Sequence, residues 1–392
     1  MRIAQFTDSF LPVVDGVGRV VLNVAESLSV MGNECYVIAP MTDSGFRGGY
    51  SFEWVDFMGM KLIGQPYKLG IPEADTHFHT RMNMIELDII HAHDPFAAGW
   101  SALSYALRRG LPLVGSFHSK YYDDFLQVTK APSLAKAGAR LVVKFYEACD
   151  EVWAVSENAA ETLRCYGYTK EVVVMPNGMD IPPADPAAVT AAETEYSLGE
   201  GPLLLYVGQM NWKKNIRRIL EACALLTERG TAYTLALAGQ GPHAGEIADA
   251  ARALGIEKQV LLTGHITDAR LLRGLYQRSS LFVFPSLYDN APMVVREAAA
   301  AGTPSVTVAG SSASEPIADG VNGLLCRDDP RDLADVLQKA LSDPSALAVI
   351  GREARRTIPV SWDLICEKYI ARYQRLVEDY TRRGWYRRLR EP

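Results

Sequence analysis

Short aliphatic or β-branched runs alternate along nearly the whole chain with segments whose apolar residues recur at helical spacing. This is the pattern of β-α-β units built on a parallel sheet that is buried on both faces. The strand-like runs of the first half are "RIAQF" (2–6), "CYVIAP" (35–40), "DIIHAH" (88–93), "PLVGSFH" (112–118), "EVWAVS" (151–156) and "VVVMPNG" (172–178). The pattern then breaks. The stretch "IPPADPAAVTAAETEYSLGEGP" (181–202) is rich in Pro, Ala and Gly, carries no strand signal and reads as an interdomain connection. A second series follows with "PLLLYVGQ" (202–209), "YTLALAGQG" (233–241), "QVLLTGHI" (259–266), "LFVFPS" (281–286), "PSVTVAG" (304–310) and "GLLC" (323–326). The expectation is an α/β chain of two doubly wound Rossmann-like domains facing a central cleft, over 1–185 and 200–365, with a ligand at the carboxyl ends of their strands.

Composition narrows the chemistry. With 392 residues, 48% hydrophobic and 22% charged, the chain is long enough for two sizeable cores. A formal charge of −6 argues against a nucleic-acid partner held by phosphate neutralisation. The six cysteines are scattered, with no C-x-x-C and no histidine cluster at metal spacing. They are expected to be buried thiols of a reducing compartment, and no metal site is expected. "MRIAQFTDSF" opens directly on a strand, and no apolar run reaches spanning length, so the expected location is cytoplasmic.

The informative residues lie in the loops that follow strands. After the first strand, Asp15-Gly16-Val17-Gly18 precedes an amphipathic segment, and glycines there let the backbone approach an anion at a helix N-terminus. A tight strand-to-helix turn explains the same residues equally well. The third glycine of a dinucleotide fingerprint is missing and the second strand ends in "IAP" without an acidic residue, which disfavours a nicotinamide or flavin. The second domain opens on "LLLYVGQMNWKKNIRRILEA", with Lys213, Lys214, Arg217 and Arg218. A cation at the strand end faces a ligand whereas cations further along the helix face solvent, so Lys214 or Lys213 is the candidate and Arg218 is not. A solvated basic helix face is the alternative for the whole group.

In "SLYDNAPMVVREAAAAGTP" (286–304), Asp289 follows an apolar run and Glu297 lies inside an alanine-rich helical stretch. Pro292 suits a first helical position, which places the amides of Met293 and Val294 at the helix mouth and Glu297 on the same face. A nucleoside diphosphate matches this spacing. The diphosphate takes the helix end, vicinal ribose hydroxyls donate to Glu297, and Asp289 accepts from hydroxyls of whatever the diphosphate carries. The competing reading, Glu297 in a core ion pair, is disfavoured by its apolar and small neighbours.

Taken together, "GQMNWKKNIRRILEA", "AGQGP", "LTGHI", "DNAPMVVREAAAAGTP" and "EPIADGVNGLL" resemble the retaining nucleotide-sugar glycosyltransferases of family 4, which have the GT-B fold. The resemblance covers nearly the whole chain, is strongest from Leu203 to Cys326, and extends in part to bacterial lipid and diacylglycerol glycosyltransferases. It implies a hexosyltransferase in which Glu297 holds the donor ribose, Asp289 the hydroxyls of the transferred sugar and Lys214 the diphosphate. Gly16 approaches the diphosphate from the first domain, and the turn at Gly264 and His265 borders the base. "SFHS" matches a Phe-His-Thr/Ser stretch of the family and makes His118 the residue beside the sugar at the reacting centre. The implied catalytic set is His118, Lys214 and Asp289. The implied donor set is Gly16, Gln209, Lys214, Gly264, His265, Asp289, Asn290, Met293, Val294 and Glu297. The fold also implies a terminal helix, about 366–392, that packs back on the first domain.

Some residues depart from the family pattern. Gln209 stands for an arginine, Asn215 for a glycine, Asp289 for a glutamate and Ala291-Pro292 for a Phe-Gly-like pair, so fewer charges face the diphosphate and Lys213 or Arg217 is left to compensate. There is no Asp-x-Asp, and Lys214 with helix amides can stabilise a departing diphosphate, so no metal or other cofactor is expected and the donor is read as a UDP-hexose. The acceptor reading is a membrane lipid such as diacylglycerol, ahead of a soluble sugar or polysaccharide. It draws on "HAHDPFAAGW", "SFHSKYYDDFLQVTK" and the cations Lys136, Arg140 and Lys144. The tail "YQRLVEDYTRRGWYRRLREP", with Arg382, Arg383, Arg387, Arg388 and Arg390 among aromatics, is expected to attach reversibly to an anionic membrane face. An epimerase or phosphorylase on the same two-domain plan and a non-catalytic nucleotide-sugar binding module are the readings from other classes.

Overall fold

The computed structural model describes residues 1–11, 16–41, 48–61 and 68–388, with side chains described outside 61–69 and 383–388. Two units divide the chain, Met1–Gly178 with Trp362–Pro392 and Met179–Ser361. The first unit runs β1 (Arg2–Phe6), α1 (Gly16–Val30), β2 (Glu34–Pro40), β3 (Glu53–Phe57), β4 (Gly59–Lys61), β5 (Lys68–Gly70), α2 (Thr76–Met84), β6 (Ile89–Ala92), α3 (Ala97–Arg109), β7 (Leu113–Phe117), α4 (Tyr121–Thr129), α5 (Pro132–Ala148), β8 (Glu151–Ala154), α6 (Glu157–Cys165) and β9 (Val173–Val174). The second runs α7 (Pro186–Glu195), β10 (Leu203–Val207), α8 (Ile216–Glu228), β11 (Thr234–Ala238), α9 (Ala244–Ala253), β12 (Val260–Gly264), α10 (Ala269–Arg278), β13 (Leu281–Phe284), α11 (Met293–Ala301), β14 (Ser305–Val308), β15 (Leu324–Cys326), α12 (Pro330–Leu341) and α13 (Pro344–Thr357). The final helix, α14 (Trp362–Arg388), belongs to the first unit.

Both main sheets are parallel and doubly wound. The first has the order β3-β2-β1-β6-β7-β8-β9, the second β12-β11-β10-β13-β14-β15, so the winding reverses between β1 and β6 and between β10 and β13. In such sheets the strands run through the middle layer, and Leu203 to Tyr206 and Leu281 to Phe284 are accordingly buried throughout. Helices cover both faces with one apolar stripe each. In α1 the stripe is Val20, Val21, Val24, Ala25 and Leu28, and α14 supplies Tyr369 and Tyr373, whose rings lie 4.5 and 5.4 Å from that of Trp153.

All twelve strand-like runs contain strands, and among the described residues three further strands escaped the pattern. In "EWVDF" of β3 charged residues at 53 and 56 interrupt the apolar run, and β4 and β5 are three residues each. The stretch expected as a plain connection holds α7. Its signal was present in Asp185-Pro186: the Asp185 carboxylate caps the Ala188 amide at 3.0 Å, and Pro186 takes the first turn. Five of the cysteines are buried as expected, whereas Cys165 is exposed at the end of α6.

The start of α3 depends on a close backbone approach. A Cβ on Gly99 would stand 1.9 Å from the Asp94 carbonyl oxygen, so no larger residue lets α3 begin hard against the loop that follows β6. Nearby, the Ala98 amide donates to both carboxylate oxygens of Asp8 at 3.1 and 3.0 Å, and Asp94 accepts from the Thr7 hydroxyl at 2.8 Å and the Asp8 amide at 2.9 Å. Gly99→Ala is therefore expected to lower the stability of the first unit by about 2–3 kcal/mol, the upper part of the range for overpacking. Urea denaturation of the full chain checks this, and an unchanged midpoint would show that α3 can shift freely.

Candidate functional site

In the second unit three loops at the carboxyl edge of the sheet are joined by backbone hydrogen bonds. The Gly208 amide donates to the Ala238 carbonyl at 2.9 Å, Met210 to Gln240 at 3.0 Å and Gly239 to Gly264 at 2.8 Å. The approach is so close that a Cβ on Gly239 would stand 1.9 Å from the Gly208 carbonyl oxygen, which gives the "AGQGP" glycine its physical reason. Gln209 is exposed on this edge, and its carbonyl accepts from the Tyr206 hydroxyl at 3.0 Å. Gly264 and His265 are exposed at the end of β12.

The loop from β10 then turns through a single helical turn at Trp212–Lys214, which Asn211 caps by accepting from the Lys213 amide at 3.2 Å. It ends at Asn215, whose φ of 62° lies in the left-handed region that glycine and asparagine tolerate. The backbone at this position thus tolerates asparagine in place of the family's glycine, and the side chain adds two bonds. Asn215 Nδ2 donates to the Pro285 carbonyl at 3.0 Å and to Asp328 at 2.9 Å, tying the loop to the end of β13.

That tie brings the two sequence-predicted segments together. Lys214 Nζ lies 2.5 Å from Asp289 Oδ1, and Asp289 Oδ2 accepts from the Ser286 hydroxyl at 2.6 Å. Both partners are well shielded, with 13% and 19% of their side chains exposed. The Tyr288 ring stacks beneath both lysines, with its centroid 4.1 Å from Lys213 Nζ and 5.3 Å from Lys214 Nζ. Arg217 instead lies over the Trp212 ring at 4.7 Å, and Arg218 pairs with Glu221 at 2.9 Å and Asp328 at 3.2 Å. Of the two cations left to compensate for Gln209, the structure therefore brings Lys213 to the Asp289 segment.

Helix α11 starts one residue later than the sequence implied, because Pro292 is the N-cap and not the first helical residue. The first-turn amides of Met293 and Val294 remain at its mouth, where a helix has no carbonyls of its own to offer them. Glu297 follows one turn on, half-buried, and accepts from the Tyr276 hydroxyl of α10 at 2.9 Å. Asn290 is buried in the loop between Asp289 and the helix. Ser286, Tyr288 and Tyr276 were not singled out by the sequence. Ser286 had the only local signal, a hydroxyl three residues before Asp289 at the strand end.

In the first unit His118 directly follows β7, and its Nε2 lies 3.2 Å from Nδ1 of His93. Burial pushes the His118 imidazole down to about 4, and burial with neighbouring imidazoles holds His91 and His93 well below the usual histidine range. All three are neutral near pH 7. Burial and the adjacent Asp94 carboxylate push Asp8 well above the usual carboxylate range. Gly16 is exposed as the first residue of α1, while Asp15, the other half of that motif, lies outside the described residues. Among the described residues no group of three His, Cys, Asp or Glu is placed to hold a metal ion.

The Lys214–Asp289 pair is expected to be coupled. Lys214→Met leaves a shielded carboxylate with Ser286 and should cost about 1–3 kcal/mol. Adding Asp289→Asn should recover part of that loss, giving a coupling of roughly 0.5–3 kcal/mol in a double-mutant cycle. Additive losses in urea denaturation would show that the contact contributes nothing.

The chain has relatives among known proteins and solved structures. Residues 14–181 match the model described as Glycosyltransferase Family 4, and residues 193–357 match Glycosyl transferases group 1. Alpha-monoglucosyldiacylglycerol synthase of Streptococcus pneumoniae is 23% identical over 87% of this chain and 78% of its own length. Glycogen synthase of Mycobacterium tuberculosis is 27% identical over 93% of this chain and 91% of its own. Anabaena HepE, solved in complex with UDP and glucose, superposes with a TM-score of 0.76 at 18% identity, covering 95% of this chain and 99% of that one. With two parallel Rossmann-like sheets and both family models matched in order, the chain belongs to the family 4-like glycosyltransferases of GT-B type.

Proposed function

We propose that this glycosyltransferase moves a hexose from a nucleoside diphosphate donor, UDP-hexose in the first instance, to the hydroxyl of a membrane lipid of the diacylglycerol class, with retention of anomeric configuration. The reading rests on the reversal point of the second sheet, where Lys214, Asp289, the first-turn amides of α11 and Glu297 occupy two tied loops and the first two turns of one helix. Chemically, the bond between the sugar's anomeric carbon and the diphosphate oxygen breaks as the acceptor oxygen bonds to that carbon from the same face. The acceptor proton passes to the departing diphosphate. Lys214 and the amides of Met293 and Val294 stabilise the charge that develops there, already oriented before reaction. A diphosphate that recruits Lys214 loosens its hold on Asp289, and the carboxylate then accepts from hydroxyls of the sugar. Glu297 takes the ribose, and His118 acts on the sugar being transferred.

A lipid acceptor is favoured by the outer face of α5. Leu134 and Leu141 are each 59% exposed, on the same helix as exposed Lys136, Arg140 and Lys144. Cations flanking exposed leucines suit the boundary of an anionic bilayer. The described residues contain no helix long and apolar enough to cross a membrane. The basic, aromatic tail, assigned to the same surface, has its side chains from Arg383 onward outside the described set. The relative from Streptococcus pneumoniae, an alpha-monoglucosyldiacylglycerol synthase by name, points the same way.

Calorimetry with UDP, UDP-glucose and GDP-mannose tests the donor. Glu297→Ala is expected to weaken UDP-glucose binding by about 1–3 kcal/mol, the cost of losing hydrogen bonds to a charged group. Unchanged affinity would remove Glu297 from the donor site. Because Lys214 and helix amides supply the positive potential, transfer to vesicles containing diacylglycerol is expected to survive EDTA. Activity lost with EDTA and restored by manganese would overturn that assignment.

A further inference from the structure

Two side chains divide the oxygens of Asp289 between them, and they differ in how freely each can leave. Lys214 Nζ lies 2.5 Å from Oδ1, and the Ser286 hydroxyl donates to Oδ2 at 2.6 Å. Lys214 reaches the carboxylate on a flexible stem of four carbons, so its ammonium can turn to another anion while its backbone stays in place. Ser286 has no such freedom. It is 1% exposed and follows Pro285 just past the end of β13, and the Pro285 carbonyl is itself held by Asn215 Nδ2 at 3.0 Å. The Ser286 hydroxyl oxygen also receives the Tyr288 amide at 3.4 Å, which leaves the hydroxyl proton directed at Asp289.

The turn from Ser286 to Asp289 therefore ties the carboxylate back to the strand whatever Lys214 does. An aspartate side chain rotates about two bonds, and a carboxylate that loses all its partners is free to swing into water. Here one oxygen stays bound. A diphosphate that draws Lys214 away uncovers Oδ1 at a fixed point, and a sugar hydroxyl can donate to it without the site having to reorder the carboxylate first.

We propose that Ser286 is a positioning residue that acts through Asp289: it keeps Oδ2 in place when the donor diphosphate draws Lys214 away, so that Oδ1 is presented to a hydroxyl of the transferred sugar. The inference rests on the assignment, made above, of Lys214 to the diphosphate and Asp289 to the sugar. It adds which carboxylate oxygen reads the sugar and what holds it there. Buried as it is, Ser286 exerts its effect only through Asp289. The nucleotide half of the donor makes no use of the contact, so loss of the Ser286 hydroxyl separates the binding of the nucleotide from the handling of the sugar.

Lys214→Met imitates a lysine that has left, and a crystal structure of that variant of the full chain tests the holding contact without any donor. Asp289 Oδ2 is expected to remain hydrogen-bonded to Ser286 Oγ. A carboxylate turned away from Ser286 there overturns the proposal. Kinetics and calorimetry test the use made of the contact. In Ser286→Ala the release of UDP from UDP-glucose should fall on the order of 10- to 100-fold, the scale of a lost hydrogen bond to a charged group, while the affinity for UDP stays within about 2-fold. If Ser286→Ala does not fold, Ser286→Cys, which keeps the volume but is a weak donor, takes its place with the same expectation. In an Asp289→Ala background the Ser286 change should have no further effect on turnover. Parallel losses of UDP affinity and of UDP-glucose turnover would show that Ser286 only supports the loop and overturn the proposal, as would a further loss in the Asp289→Ala background. Because the Lys214→Met structure needs no donor, a wild-type chain that binds no UDP-glucose would count against the donor reading while that structure still decides whether Ser286 holds the carboxylate.

Discussion

A parallel strand cannot return to its neighbour by a hairpin, so every strand of these two sheets must be followed by a crossover, and every strand-to-helix loop emerges at the same edge. The chemistry of the chain depends on that constraint. At the reversal points helices leave in opposite directions and the edge is left open. In the second unit this opening gathers residues 75 positions apart, Lys214 and Asp289, into one ion pair. In the first it lines up the ends of β1, β6 and β7, with Asp8, Asp94 and His118 following them.

The two openings handle charge differently. The second pairs a cation with a carboxylate and supports both with neutral groups: a hydroxyl from Ser286 and an aromatic face from Tyr288. A pair of this kind is a resting arrangement. Each partner is satisfied by the other until a ligand offers better contacts, and the ligand must repay the loss of the pair. The first opening contains imidazoles that burial keeps neutral, and a neutral imidazole network makes hydrogen bonds at little electrostatic cost. Charge complementarity therefore belongs to the unit assigned to the diphosphate, and neutral hydrogen bonding to the unit whose histidine is assigned to the sugar.

Much of this was legible in the sequence because its signals are local. Apolar runs of β-branched residues marked twelve strands, and a strand end followed by a short basic stretch marked Lys214. The acid-to-glutamate spacing of eight residues placed Asp289 before α11 and Glu297 within its second turn. What escaped was of two kinds. Edge strand β3 and helix α7 lack an apolar pattern of their own, and their existence depends on the neighbours they pair with or pack on. The partners of the site residues also escaped. Gln5, His93, His118 and Tyr373 are separated by up to 368 positions and meet only after three strands and the last helix are assembled. No spacing rule connects a glutamine in the first strand with a tyrosine in the last helix.

The departures from the family pattern become intelligible in the same terms. A glycine is usual at position 215 because the backbone there turns left-handed; asparagine meets that requirement and uses its side chain to fasten the Lys214 loop to the end of β13. With the loop fastened to the end of β13, Asp289 reaches Lys214 although it is one methylene shorter than glutamate. The arginine replaced by Gln209 is not replaced in place. Its nearest substitute is Lys213, which shares the Tyr288 ring with Lys214 and so remains near the pair. The residues at these positions therefore meet in one place, where the Asn215 tie fixes the loop, Lys214 pairs with Asp289 and the Tyr288 ring spaces the two lysines.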